Sequence, residues 1–302
     1  MNEYIVSAEQ EGMRLDVFLT EQMEGSRSYI QSLIKGGHVT VGDKVGKANF
    51  RLTPDTVIHV EIPEPESIEV KPEDIPLDYL YEDHDIVIVN KPRGMVVHPA
   101  VGNYSGTLVN ALLFHCKDLS GINGEIRPGI VHRLDKDTTG IVLYSLIPFF
   151  QPYLDQAMEE KKIHRAYLAI TYGNKKAGLC FDIHKAIGKD RHVSNKYRIS
   201  SSGKDALTHV EIIEKKKNYE LVRCILETGR THQIRVHLSS NGLPIVNDPM
   251  YGKPSRDFKK MGLFAYEISF FDPVNENKIN ISDKFLKDYL FFDFCNNVTN
   301  KK

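Results

Sequence analysis

PGIVHRLDKDTTGIVLYS, residues 128–145, sets His132, Arg133, Asp135, Lys136 and Asp137 within six positions, between the apolar runs Ile130–Val131 and Ile141–Ser145. Short apolar runs of this kind read as strands that enter a core. The charged segment between them reads as a loop whose tip is exposed or lines a cleft. Arg133 and Lys136 flank Asp135 and favour its carboxylate over the acid. An ionised aspartate on a rigid loop suits a nucleophile or a general base. The plain alternative is a polar turn made by Asp137, Thr138 and Gly140, and the stretch alone favours that turn.

A second charged stretch is TGRTHQIRVHLSSNG, residues 228–242. Thr231 is expected to cap a helix from His232 to Ser240, closed by Asn241-Gly242. Ile234 and Leu238 would face inward. Arg235 would lie within one turn of the positive helix end, where an anion is welcome, either a phosphate or the carboxylate of Asp135. His232 and His237 are five apart, whereas a two-histidine zinc helix needs four. The alternative is a surface helix with scattered basic residues. A third stretch, KKIHRAYLAITYG at 161–173, leads from basic residues into a strand that carries Tyr167. A tyrosine in a strand is ordinarily a half-buried core residue. It could also offer a flat ring to a base, worth about 1–3 kcal/mol.

Towards the N-terminus, RLDVFLTEQ (14–22) and RSYIQSLIK (27–35, with Ser26 as its cap and Gly36-Gly37 as its stop) read as amphipathic helices. HVTV (38–41) and TVIHVEI (56–62) alternate as strands. Residues 1–62 are therefore expected to form a small α+β unit. Arg27, Lys35, Lys44, Lys47 and Arg51 give one side of it a positive patch able to meet phosphates. Residues 63–78, rich in proline and acid, read as an extended, self-repelling linker. Residues 79–302 read as a strand-rich α+β domain with helices near 104–116, 150–162, 232–240 and 283–290, and without the strand–helix alternation of a doubly wound sheet.

Charge follows the same division. Residues 1–60 carry net −2, residues 61–85 net −9 and residues 86–302 net +10. A domain at +10 suits a polyanionic partner. Cys116, Cys180, Cys224 and Cys295 are far apart and form no C-x-x-C pair, so neither a cysteine zinc site nor a disulfide framework is expected. The first residues show no signal-peptide pattern and no apolar run reaches the ~20 residues of a membrane span, so a cytoplasmic protein with no membrane partner is expected.

In that order and spacing, HRLDKDTTG, RAYLAI and GRTHQIRVHL resemble the RluA-type family of RNA pseudouridine synthases. YEDHDIVIVNKPRGMVVHP (81–99), GTLVNALLFH and PIVNDPMYG (244–252) carry the same resemblance, which covers residues about 79 to 272. Residues 14–62 resemble the αL RNA-binding domain named after ribosomal protein S-four. Thr139 stands where many relatives have serine, and Leu146 where a lysine is common.

The resemblance implies a pseudouridine synthase fold: a largely antiparallel mixed sheet with flanking helices and a central cleft, plus the small N-terminal domain. It implies an isomerase that breaks the N1–C1′ bond of a uridine in structured RNA, turns the base and joins C5 to C1′. Asp135 takes the place of the sole catalytic aspartate, by attack on the sugar or by removal of the 2′ proton. Arg235 takes the place of the basic residue paired with it. Tyr167 takes the place of the aromatic against the flipped uracil, and Arg133 that of the arginine that fills the vacated stack. His132, Arg230 and His232, with Arg27, Lys35 and Lys47 of the N-terminal unit, are the further RNA contacts expected. No cofactor and no metal are implied, and a monomer is expected. The substrate is expected to be large-subunit ribosomal RNA, with transfer RNA as the competitor. Two other classes fit part of the pattern: an RNA-binding assembly factor without catalysis, and a hydrolase using Asp135 and Asp137 as a carboxylate pair.

Overall fold

In a computed structural model, residues 2–23, 27–42, 44–63, 70–99, 103–116, 129–147, 149–272 and 274–282 are described, with only the backbone for Arg27 and Ser28. The chain divides into two compact units, residues 1–68 and 69–302.

In the first unit, β1 (Asn2–Ile5), α1 (Leu15–Gln22), α2 (Arg27–Lys35), β2 (Val39–Val41), β3 (Lys44–Val45) and β4 (Val57–Val60) follow in order. The strands form one antiparallel sheet, β1-β4-β2-β3. The apolar face of each helix meets it: Leu15, Phe18, Leu19, Ile30, Leu33 and Ile34 close a core with Val39, Ile58 and Val60. Strand β1 is an element that the sequence pattern does not signal, because its residues are mostly exposed and do not alternate. The expected cap Ser26 lies outside the described residues.

The second unit contains β5 (Asp78–Glu82), β6 (Ile86–Lys91), α3 (Leu108–His115), β7 (Thr139–Ser145), α4 (Gln151–Glu159), β8 (His164–Tyr172), β9 (Cys180–His184), β10 (Ile187–Lys189), β11 (Tyr197–Ile199), β12 (Leu207–Lys216), β13 (Tyr219–Leu226), α5 (Gln233–Ser240), β14 (Leu263–Asp272) and β15 (Asn277–Ser282). The main sheet runs β5-β6-β7-β14-β8-β13-β12-β9, with β15 also against β14. Every pairing in it is antiparallel except β7 with β14, so this is an α+β fold on a mixed, largely antiparallel sheet.

The runs IVIV of β6 and IVLY of β7 are apolar at successive positions because both faces of the sheet are covered. Ile86, Ile88, Ile141 and Leu143 pack with Phe150 and Leu154 at α4. Val87, Val89, Val142 and Tyr144 pack with Leu108 and Leu112 of α3 and with Ile234 and Leu238 of α5.

Several expected boundaries move. Ile130–Val131 is no strand: Ile130 makes one isolated bridge to Tyr144. The reason is that β14 pairs with Thr139 and Gly140, leaving that arm only the far end of β7. Gly140, at φ +111°, permits this close approach, since a Cβ there would lie 2.1 Å from the carbonyl oxygen of Ala265. The 104–116 and 150–162 helices contract to α3 and α4. Thr107 caps α3, accepting from the Asn110 amide, and Lys161 at φ 59° ends the turn after α4. Of the expected linker, residues 64–69 lie outside the described residues. Residues 70–77 are pinned to the second unit, where Asn110 donates to Lys71 O and accepts from Glu73 N. The expected helix at 283–290 also lies outside the described residues. Among the described residues no helix is long and apolar enough to cross a membrane.

Candidate active site

The loop before β7 is anchored by alternation. His132 and Leu134 point inward and are buried, while Arg133 points out and Asp135 stands between, its side chain 23% exposed. Thr138 N donates to Asp135 O and closes the turn. Beneath it lies Lys91, wholly buried at the end of β6, whose ammonium donates to Pro92 O at 3.0 Å, Met95 O at 2.9 Å and Lys136 O at 3.3 Å. Burial pushes the Lys91 ammonium down to about 8, against the pull of Asp135 and Asp137. Lys91 thus ties the charged loop to the segment after β6, a role with no local signal in the sequence.

Across from the loop, α5 begins one residue later than expected. His232, in the left-handed region at φ 59°, is the residue before the helix, and Thr231 is not its cap. No side chain caps the helix; the Gln233 side chain instead ties its start to the preceding turn and to β12. Its Oε1 accepts from Arg230 N and Thr228 Oγ1, and its Nε2 donates to Leu207 O and Thr208 Oγ1. This fixes the first turn of α5 on β12 and directs Arg235 into the site.

Arg235 Nη1 donates to Asp135 Oδ2 at 3.0 Å. Its Nε and Nη2 donate to the two oxygens of Asp248 at 2.7 and 2.9 Å. Its guanidinium carbon lies 5.2 Å from the centre of the Tyr251 ring. Burial alone would lower the Arg235 pKa, but Asp248 and then Asp135 more than offset it and raise it above its ordinary value. Burial likewise pushes Asp248 up, yet Arg235 and the amides of Met250 and Tyr251 hold its carboxyl below the usual range. Asp248 and Tyr251 belong to PIVNDPMYG, a stretch that carries the family resemblance without marking either residue for a role.

One cleft of about 280 Å³ gathers most of the expected site: Asp135, Tyr167 and Arg235 with His132, Arg133, Arg230 and His232. Tyr167, on β8, is 5% exposed and also belongs to the main core, so it is both core aromatic and cleft wall. Arg133 and Arg230 are exposed at the rim, and Arg230 Nε donates to Asp205 O. His132 departs from the expected surface role. It is 7% exposed, its Nε2 accepts from Leu143 N at 3.2 Å, and burial pushes its imidazole down to about 3. His232 is half-buried, hydrogen-bonded to the Tyr251 hydroxyl and 3.8 Å from Asp135, and burial lowers its pKa against the pull of Asp135. Lys35 and Lys47 are exposed on the first unit, and the side chain of Arg27 lies outside the described residues. Asp137 does not line the cleft; it faces Arg93 at 3.6 Å, so no second carboxylate accompanies Asp135 from that loop. Arg165, in sequence just one of several basic residues leading into β8, also lines the cleft. Among the described residues no cluster of three His, Cys, Asp or Glu could hold a metal ion.

Residues 85–240 match the RNA pseudouridylate synthase family, and residues 13–58 match the S4 domain. An uncharacterized RNA pseudouridine synthase of Bacillus subtilis, YlyB, is 42% identical over 90% of this chain and 91% of its own. The ribosomal large subunit pseudouridine synthase D of Zymomonas mobilis is 37% identical over 94% and 93%. Among solved structures, human RNA pseudouridylate synthase domain containing 1 superposes with a TM-score of 0.57 at 25% identity, covering 74% of this chain and 88% of that one.

Proposed function

The chain belongs to the RNA pseudouridylate synthase family and is an isomerase, and from that premise we propose that it modifies a uridine of large-subunit ribosomal RNA with Asp135 as its reactive carboxylate. The observation that carries this reading is the pairing of Asp135 with Arg235 inside the cleft that Tyr167 also lines. A buried guanidinium, itself fixed by Asp248, holds and orients the carboxylate.

The glycosidic bond of a stacked uridine is out of reach of a side chain in a cleft, so the base must leave the stack, at a cost of a few kcal/mol. Arg133, exposed at the rim, suits the space vacated, and Tyr167 suits the wall against the extruded ring. The name of the Zymomonas relative favours ribosomal RNA as the substrate, and the S4 match favours RNA binding by the first unit. Lys35, Lys47 and Arg27 are assigned to that surface.

The test is Asp135→Asn. The variant should bind RNA as the wild type does and release no tritium from RNA labelled at uracil C5. Wild-type release by the variant rejects Asp135 as the reactive group. Mapping pseudouridines in cells lacking the protein identifies the RNA.

A further inference from the structure

The Arg165 guanidinium is a buried cation that no described residue compensates. It is 7% exposed, its Nε is shielded from solvent without a hydrogen-bond partner, and among the described residues no hydrogen bond or ion pair holds it. The other buried cations of this unit are provided for: Lys91 by three carbonyls, Arg235 by two carboxylates. An arginine carries its charge at any physiological pH, so burial without a counter-charge is unfavourable unless something else enters the site. His132, the neighbouring cleft residue, cannot serve. Its Nε2 accepts from the Leu143 amide, so its Nδ1 carries the hydrogen and is a second donor, not an acceptor.

Arg165 lies two residues before Tyr167 on β8, hence on the same face of the sheet, and both line the cleft that holds Asp135. A Cβ at position 229 would stand 3.1 Å from Arg165 Nη1, so Gly229 leaves room for the guanidinium. The exposed arginines, Arg133 and Arg230, occupy the rim, where a phosphate still joined to its chain can reach them. Arg165 lies deeper, beside the ring of Tyr167.

Resting on the proposed entry of the base into this cleft, we infer that Arg165 donates to a carbonyl oxygen of the extruded uracil and supplies the charge that meets the departing base. A donor-only group suits the ring carbonyls of uracil and opposes the amino group that cytosine presents at C4. When the C1′–N1 bond breaks, its electron pair passes into the ring and spreads onto those oxygens, and the guanidinium stabilises the resulting anion without moving a proton. When C5 joins C1′, the C5 proton goes to solvent and N1 takes one from solvent, so the overall change is an isomerisation with no net charge and no redox step. The uncompensated charge in the free enzyme thereby becomes an attraction reserved for the leaving base.

The test uses full-length protein with Arg165→Met and Arg165→Lys, and ribosomal and transfer RNA from cells lacking the protein, each labelled with tritium at uracil C5. Which RNA reacts is read from the wild type and concerns the preceding proposal; the role of Arg165 is read from the variants on that RNA. Arg165→Met removes a charge that nothing among the described residues balances, so its melting temperature should equal or exceed that of the wild type. Its RNA affinity should stay within threefold, and its single-turnover rate at saturating enzyme should fall at least a hundredfold. Arg165→Lys should recover part of that rate. A saturating rate within threefold of wild type overturns the inference. So does a tenfold loss of affinity with the saturating rate preserved, which marks a phosphate-binding residue. So does a clear drop in the melting temperature of Arg165→Met, which marks a structural role.

Discussion

Arg235 holds Asp135 through Nη1 while its Nε and Nη2 grip Asp248, so the direction of the carboxylate is set from α5 and not from its own loop. Lysine in place of Arg235 keeps a charge but loses the planar fork that grips both oxygens of Asp248 while it reaches Asp135. Arg235→Lys should lower turnover roughly a hundredfold with little change in RNA affinity. Arg230→Lys, at the rim, should do the reverse. Single-turnover rates and filter-binding affinities of the two variants check this, and exchange of the two patterns would show that the roles are reversed.

Asp248 is 3% exposed and carries half of the counter-charge of Arg235. Asp248→Asn leaves a buried guanidinium with a single carboxylate, a loss of about 3 kcal/mol. Urea unfolding measures that loss, and a change under ~1 kcal/mol would mean that Asp135 alone satisfies Arg235. The variant should also lose turnover, because Arg235 is then free to turn away from Asp135.

Folding lowers the imidazole pKa of His132 from an ordinary 6.5 to about 3. The unfolded chain therefore binds more protons than the folded one between these values. The resulting sign is that stability is complete above pH 6.5 and declines as pH falls towards 3, by up to about 1.4 kcal/mol per unit. His132→Gln keeps an acceptor for the Leu143 amide and removes the titration. Its stability should vary less between about pH 6.5 and 4 than that of the wild type, and parallel profiles in urea would refute the assignment.

Removal of residues 1–62 tests the first unit as a separate RNA-binding module. Residues 63–302 should stay folded, since the second unit has its own core and keeps residues 70–77 pinned to α3. Affinity for long RNA should weaken. The dependence of log K on log salt should also become shallower, by about 0.7–0.9 for each phosphate that the first unit neutralises in the intact protein. An unchanged slope would remove Arg27, Lys35 and Lys47 from the RNA interface.

The chemistry is more legible in the sequence than the contacts that organise it. Asp135 and Arg235 stand out because charged residues interrupt apolar patterns, yet their hydrogen bond spans 100 positions and no local period reports it. Lys91, Arg165 and Asp248 escape for one reason: each sits beside strand or turn signals, and burial of a charge depends on partners far along the chain. For His132 the charge misleads, and its place in the alternation with Leu134 is the better guide. The α+β class and the helix at α5 follow from period, but the start of α5 does not, because it is set by the left-handed turn at His232 and by Gln233 bonding to residues outside the helix, not by a capping side chain.

The position of β14 decides when this enzyme can come into being. It lies between β7 and β8 although about a hundred residues separate it from either in synthesis order, so the two halves of the sheet stay apart until residue 272 has been made. At ordinary rates of translation, β7 waits on the order of ten seconds for its parallel neighbour. For most of that interval Asp135 lacks Arg235, its hydrogen-bond partner. Activity thus requires a chain made through β14, and ribosomes stalled upstream of it should carry a polypeptide without activity.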